Sequence, residues 1–486
     1  MTGFFRRRSP WFWGGVIVAS ALLMRLISLG LYPLMDTSEA RYGEMVRLMV
    51  ETGDWITPYF DYGVPFWGKP PLFVWLSALS FKLFGVNEFA ARLPSLLACT
   101  GTMAFVWKLA SFHYQATGHR HHANLGVLLL TSTAMFLVLA GALLADPVML
   151  LSITMILTAF WIGWNSQDKK QATLWRHLFF VGCGLALLAK GPVAVVLAGL
   201  PIFFWCLPKG RLLTLWQKFP WIKGTILTAL IAVPWYIAAE LKTPGFLEYF
   251  LIGEHFGRYV DEGWDGDRYG HAHIRPIGTI WIRFLEGGLP WTFVLVAIAL
   301  KLCWKRFKHG EKIGINEWQG FLLCWLLAPL AFFTFATNII WTYALPVMPP
   351  LVLLLADRWG NDWNKMSRRL LPAALIVPVL TCVMVAVMVQ DGGKKSQKHM
   401  MTAMKAQEVE NPGEIIYLGK RPFSARFYSA GKAILVETPE EIRELIDNNL
   451  TDFLATKDDR TQLPDDLQNR FLKVTEYRDW TLWQEK

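Results

Sequence analysis

Residues 177–207 read HLFFVGCGLALLAKGPVAVVLAGLPIFFWCL, an apolar stretch interrupted once, at Lys190-Gly191-Pro192. A helix needs roughly 20 mostly apolar residues to cross a bilayer. The stretch is too long for one crossing and just long enough for two short ones joined at the break. Outward from it, similar runs lie near 11–31, 93–112, 123–144, 147–164, 222–239, 279–302, 318–337, 340–356 and 370–389. With the double stretch counted as two, the chain offers eleven spans. Composition agrees: 53% of the 486 residues are hydrophobic, 14% aromatic and only 18% charged. A soluble chain of this size would aggregate, so the bilayer is its natural solvent.

The formal net charge of +10 is carried by short Lys/Arg clusters between apolar runs. These read as topology signals and form no continuous basic stripe, which argues against nucleic acid as a partner. The six cysteines fall in or beside apolar runs without CxxC spacing, so they read as small core residues. Arg6, Arg7 and Arg8 precede the first apolar run, but no small-x-small cleavage site follows, which makes the run a retained first helix.

Charge also sets the sidedness. With eleven spans and the N-terminus inside, the basic loops at Arg6–Arg8, 113–122, 168–176, 208–218, 301–312 and 357–369 all fall on the cytoplasmic side. The run 72–86 is short and carries Lys82; as a twelfth span it would flip every later loop. It therefore reads as an interfacial helix or a shallow hairpin on the outer face. Three segments are left outside: a loop at 32–92, a loop at 240–278, and the tail after about 391. The tail is polar, alternates short apolar runs such as EIIYLG and AILVET, and holds a helix-like stretch at 439–449. The expected organisation is a mainly α polytopic membrane domain over 1–390, with its site in the two outer loops. A small soluble α/β domain follows over 391–486.

The first outer loop starts Met35-Asp36-Thr37-Ser38-Glu39-Ala40-Arg41-Tyr42, where the first helix leaves the membrane. Asp36 has two readings that do not exclude each other: the cap of a helix over 38–51, with Glu39 completing a capping box, and a general base at the membrane edge. Lys69 follows Phe66-Trp67-Gly68 and precedes Pro70-Pro71, which restrict the backbone around it. A fixed ammonium at headgroup depth suits a lipid phosphate. Asp146-Pro147 lies at a turn between two spans; it reads either as a helix start or as a functional carboxylate. The second outer loop carries Glu254-His255-Phe256-Gly257-Arg258-Tyr259, then Asp261, Glu262, Asp265, Asp267, His271, His273 and Arg275. Arg258 is a candidate phosphate ligand. The spacing of the carboxylates and histidines matches no standard metal site, so a solvated loop is the reading adopted and no metal ligand is assigned.

Eight motifs in this order resemble a known family: Asp-Thr-Ser-Glu-Ala-Arg-Tyr at 36–42, Gly-Asp-Trp at 53–55, Gly-Lys-Pro at 68–70, Ala-Arg-Leu-Pro at 91–94, Ala-Asp-Pro at 145–147, Ala-Lys-Gly-Pro at 189–192, Glu-His-Phe-Gly-Arg-Tyr at 254–259 and Tyr-Ala-Leu-Pro-Val-Met-Pro-Pro at 343–350. Each is weak alone. Together, over roughly residues 10–360, they resemble the membrane glycosyltransferases of the protein O-mannosyltransferase superfamily, and most of all the bacterial aminoarabinose transferases of lipid A. The resemblance implies a GT-C fold of about 11–13 membrane helices, a polyprenyl-phosphate sugar donor and attack from the periplasmic side. It implies Asp36 as the base and Asp146 as a second catalytic carboxylate. Lys69, Arg258 and Tyr343, with Arg41 and Tyr42 of the first motif, fall among the contacts to the carrier and its phosphate. Glu39, Glu254, His255 and His273 are grouped as acceptor-side or secondary residues.

Two departures stand out. Gly68 replaces the glutamate common before that lysine, which removes a carboxylate able to ligate a metal. Asn338-Ile339-Ile340-Trp341-Thr342 stands where a basic residue is often found before the Tyr-x-Leu-Pro motif. A divalent metal is therefore not required by this reading.

The expected chemistry is direct displacement. Cations stabilise charge building on the departing phosphate, and Asp36 takes the acceptor's proton on the opposite face of the sugar. The acceptor is a lipid such as lipid A, with Ser or Thr of a secreted protein as the alternative, and the protein acts as a monomer in a bacterial inner membrane. The rival from another class is a transporter of lipid-linked sugars, which calls for broken helices and charges at the bilayer midplane. Lys190-Gly191-Pro192 is the one such feature, and the loop count sets it near the outer face.

Overall fold

The computed structural model describes residues 9–115, 121–257, 266, 268–269, 274–310, 314–393, 395–457 and 463–486. Among these, eight helices are long and apolar enough to cross a membrane: Pro10–Ser28, Glu88–His113, Asp146–Asn165, Lys169–Lys190, Pro192–Lys209, Trp221–Lys242, Glu317–Thr334 and Lys365–Gln390. A ninth span arises if Thr279–Gly287 and Trp291–His309, bent by 112° at their junction, are one crossing. The two remaining apolar runs are not single helices. The run expected at 123–144 breaks after His121–Thr131, where the Ser132 and Thr133 hydroxyls donate back to the carbonyls of Leu128 and Leu129, and a short helix Ala134–Leu139 follows. Such back-bonding competes with continued helix. The run expected at 340–356 is a 3-10 turn Trp341–Val347, then a helix Met348–Trp359.

The helices are not equivalent. Asp146–Asn165 is 89% buried inside the molecule, whereas Trp221–Lys242 is only 22% buried and Pro10–Ser28 28%. Ile222, Leu230, Leu241, Leu23 and Ile27 are exposed on those outer helices. Lipid is the solvent that such a surface fits.

Lys190-Gly191-Pro192 divides its stretch as the sequence suggests. Gly191 adopts φ +80, and a Cβ there would lie 2.5 Å from Phe250 Cζ. Only glycine fits the turn. Pro192 then opens the next helix, where its missing N–H costs nothing. The run at 72–86 is a 13-residue helix, Leu72–Phe84, about 20 Å long and too short to cross. It packs on Ser38–Thr52 and Glu88–His113, and a small hairpin of β1 (Tyr59–Asp61) and β2 (Val64–Pro65) lies between it and Ser38–Thr52 in the chain.

Past Gln390 the chain changes character. A helix Lys398–Lys405 leads to five strands: β3 (Pro412–Leu418), β4 (Ala433–Val436), β5 (Thr451–Lys457), β6 (Phe471–Tyr477) and β7 (Trp480–Glu485), ordered β4-β3-β5-β7-β6. β3 pairs parallel with β4 and β5, and β7 pairs antiparallel with β5 and β6. Ile415 and Tyr417 pack with Met400 and Ala425 on one face; Ile416 and Leu418 pack with Ile442 and Leu467 on the other. Strand β3 is buried on both faces, the pattern of a parallel strand sandwiched by helices. The helix expected at 439–449 is Pro439–Leu445. Phe423–Tyr428 packs against Ser38–Thr52, and Phe427 joins the core of the helical domain, so the tail sits directly on the loop 32–92.

Candidate active site

The helix Ser38–Thr52 organises the site. Its N-cap is Thr37, and no side chain caps it. Neither carboxylate expected to cap it does so. Glu39 accepts from Arg92 at 2.7 and 2.8 Å and from the Leu143 N–H at 3.1 Å. Arg92 is fully buried and also donates to the carbonyls of Leu29, Tyr32 and Pro33. Glu39 is thereby the counter-ion that ties the loop to the helix Glu88–His113. Asp36 turns to the tail: its Oδ1 accepts from the Ser424 N–H at 3.0 Å and its Oδ2 from the Ser424 hydroxyl. Burial raises its pKa above the usual carboxylate value, against the pull of Ser424 and Lys420.

The start of the helix Ser38–Thr52 carries Arg41 and Tyr42. The Lys69 ammonium donates to the Tyr42 hydroxyl, and its Nζ lies 4.7 Å from the centroid of that ring. Burial works to raise the Tyr42 pKa, but Lys69 and Arg41 outweigh it and the net direction is down. The phenol is thus polarised by two cations. Arg41 Nη1 donates to the Tyr269 carbonyl at 2.7 Å, while its Nε is buried with no hydrogen-bond partner. A buried unsatisfied donor costs about 1–3 kcal/mol, and an anion beside it would satisfy it.

Beneath lie Asp146 and Lys190. Lys190 Nζ donates to Asp146 Oδ1 at 2.6 Å and sits 5.0 Å from the centroid of Tyr343. Asp146 is the first residue of its helix after the N-cap Ala145; it makes no cap bond and serves this ion pair, and it also feels the charge of Lys69. Lys190 ends its helix, where the dipole favours a cation. One contiguous cluster therefore holds Arg41, Tyr42, Lys69, Asp146, Lys190 and Tyr343. Asp36 stands to its tail side, with Arg41 between: the guanidinium lies 5.2 Å from the Tyr42 ring and 5.9 Å from Phe423, the neighbour of Ser424.

Tyr269, from the loop 240–278, is fastened to the loop 32–92. The Tyr269 hydroxyl donates to the Pro65 carbonyl at 2.8 Å and accepts from the Trp67 N–H at 3.1 Å, and its ring packs on Phe60 and Phe66. His255 donates through Nδ1 to the Phe250 carbonyl at 2.7 Å; burial lowers its pKa. Its Cε1 would lie 3.2 Å from a Cβ at Gly191, so it backs the turn that follows Lys190. Glu254 accepts from the Tyr249 hydroxyl at 3.2 Å. Arg258 and His273 lie outside the described residues, as do Asp261, Glu262, Asp265 and Asp267 of the acidic run. Among the described residues no group of three or more His, Cys, Asp or Glu is placed to hold a metal ion.

Sequence reasoning did not rank Lys190, Arg92, Tyr269 or Ser424 as site residues. Lys190 had a signal, a lone charge in a long apolar stretch. Ser424 had none, because its role exists only through the fold.

A family model for the dolichyl-phosphate-mannose-protein mannosyltransferases matches residues 16–250. The undecaprenyl phosphate-alpha-4-amino-4-deoxy-L-arabinose arabinosyl transferase of Pseudomonas savastanoi pv. phaseolicola is 30% identical over 72% of this chain and 62% of its own length. The like-named protein of Aeromonas salmonicida is 31% identical over 69% of this chain and 58% of its own. Over residues 16–250, a little under half of its length, the chain is similar to the protein O-mannosyltransferase superfamily. It spans about three fifths of the length of these curated relatives. In fold it is similar to ArnT from Cupriavidus metallidurans, crystallised with undecaprenyl phosphate, at a TM-score of 0.76, 19% identity, 97% of this chain and 98% of that one. A more distant likeness is to the oligosaccharyltransferase of Archaeoglobus fulgidus, at a TM-score of 0.53, 12% identity, 92% of this chain and 70% of that one. The superfamily and these folds agree with the multi-pass GT-C architecture and the small C-terminal sheet.

Proposed function

We propose that this chain is an inverting glycosyltransferase that moves a sugar from a polyprenyl phosphate, undecaprenyl phosphate in a bacterium, to lipid A or lipopolysaccharide. The observation that carries the reading is the cluster of Lys69, Arg41 and Tyr42 pinned between two outer loops, with the carboxylate of Asp36 beside it. Similarity to arabinosyl transferases that use undecaprenyl phosphate supports the carrier and the sugar-transfer chemistry.

In this mechanism the carrier phosphate lies against Lys69 and Arg41. An acceptor hydroxyl attacks the anomeric carbon from the side opposite the phosphate. Its proton passes to Asp36 as the new carbon–oxygen bond forms. The bond to the phosphate oxygen breaks with its electron pair, and the two cations stabilise the charge that appears on the polyprenyl phosphate. The raised pKa of Asp36 brings a carboxylate nearer to the basicity that proton transfer needs. Asp146 and Lys190 hold the floor of the site through their buried ion pair. In this reading the site and the tail face the periplasm, the N-terminus faces the cytoplasm, the protein acts as a monomer in the inner membrane, and the chain divides near residue 390 into a membrane domain and a soluble domain.

The test is transfer in proteoliposomes with labelled polyprenyl-phosphate sugars, offering lipid A in one arm and a Ser/Thr-rich peptide in another. Label reaching lipid A supports the proposal. Label reaching only the peptide assigns the protein acceptor, and label crossing the bilayer without transfer overturns the enzyme reading.

A further inference from the structure

Asp36 is held from a part of the chain 388 residues away. Its backbone N–H donates to the Lys395 carbonyl at 2.7 Å, and both carboxylate oxygens accept from Ser424. Ser424 is fully buried, and its hydroxyl in turn accepts from the Gln397 N–H at 3.0 Å. That bond orients the hydroxyl: with a lone pair committed to Gln397, its proton points to Asp36. Gln397 is itself fixed by the Tyr417 hydroxyl on its Oε1 at 3.2 Å. The chain Gln397–Ser424–Asp36 is a satisfied buried network, which fixes one geometry better than isolated contacts do. Phe423 and Phe427 on either side of Ser424 are packed into the core of the helical domain, so the donor pair cannot drift.

We propose that Ser424 is a positioning residue for Asp36: the C-terminal segment delivers two donors that fix the carboxylate's rotamer, so the base is complete only with the tail docked. The inference rests on Asp36 as the base of the proposed transferase. Other charged or titratable groups near Asp36 are Lys420, Tyr417 and Arg426 from the tail and Arg41 from the helix Ser38–Thr52. Glu39, three residues along, is neutralised by Arg92. Burial raises the Asp36 pKa and the Ser424 bonds lower it. Removing the hydroxyl therefore raises the pKa further, and the base becomes available only at higher pH.

The experiment is the pH profile of kcat/KM in the full-length protein, comparing wild type with Ser424→Ala and Ser424→Cys. Cysteine keeps the volume and loses the strong donor, so it reads the hydrogen bond where alanine unfolds the tail. Expected are an acid limb displaced to higher pH in both variants, a kcat lowered about tenfold below the wild-type midpoint, the size of one charge-assisted hydrogen bond, and a donor KM unchanged. A role confined to holding the tail would lower the melting temperature and scale activity equally at every pH; that result, or an unmoved acid limb in Ser424→Cys, overturns the inference. No transfer by the wild type would instead overturn the proposed function.

Discussion

At the scale of single residues, charge pairs decide what each carboxylate can do. Arg92 is fully buried and its guanidinium depends on Glu39. Removing one partner of such a pair strands the other, at a cost of about 3–5 kcal/mol. Glu39→Gln should lower the melting temperature in detergent sharply, while the surviving folded protein keeps its kcat; a variant of unchanged stability and lost kcat would make Glu39 part of the chemistry. Lys69 faces the opposite prediction. Lys69→Ala removes a charge-assisted contact worth about 1.5–3 kcal/mol, so the KM for the lipid donor should rise at least about tenfold with little change in stability. An unchanged KM would place the carrier phosphate elsewhere. Asp36, Lys69 and Asp146 were legible in the sequence because an ionisable group beside an apolar run needs a reason to be there. Their partners were not. Ser424 is brought to Asp36 and Lys190 to Asp146 by tertiary packing, as Arg92 is to Glu39, and capping, the local role that sequence suggests for Asp36, is displaced by bonds across the whole chain.

At the scale of elements, the turn at Gly191 is where backbone conformation and site meet. A side chain there must adopt a left-handed φ and displace Phe250. Gly191→Ala should therefore cost about 1–3 kcal/mol and lower transfer, since the turn places Lys190 on one side and His255 on the other. Wild-type melting and activity in this variant would show that the turn tolerates rearrangement. The break itself was readable from Lys-Gly-Pro in a stretch too long for one helix, and so was the short helix 72–84 from its length and Lys82. The interruptions at Ser132-Thr133 and Trp341–Val347 were not. Hydropathy records how apolar a run is, whereas these breaks come from hydroxyls bonding back to carbonyls and from the Tyr-x-Leu-Pro turn closing over the site.

At the scale of the whole molecule, the tail is clamped to the loop 32–92 at three places. Asp36 bonds Ser424; Asp61 pairs with Arg421 and Arg426 at 2.6 and 3.0 Å; Glu88 accepts from Lys398 at 2.5 Å and from Tyr428 at 2.9 Å. Reversing the middle clamp with Arg421→Glu and Arg426→Glu should loosen the tail, seen as faster proteolysis within 391–486 and as lower transfer; unchanged cleavage would mean the apolar contacts of Phe423 and Phe427 suffice. The membrane class and the α/β character of the tail followed from composition and alternation. The docking did not, because complementarity between two distant surfaces leaves no local pattern.

The central claim is that Asp36 takes the proton of the acceptor. It is tested most directly by single-turnover transfer from a labelled polyprenyl-phosphate sugar, comparing wild type with Asp36→Asn, an isosteric change that still accepts a hydrogen bond from Ser424. The account predicts a folded protein of wild-type donor affinity whose rate of transfer falls at least about a hundredfold, the usual contribution of a general base. Transfer by Asp36→Asn at the wild-type rate would contradict it and move the search for the base to the other carboxylates of the site.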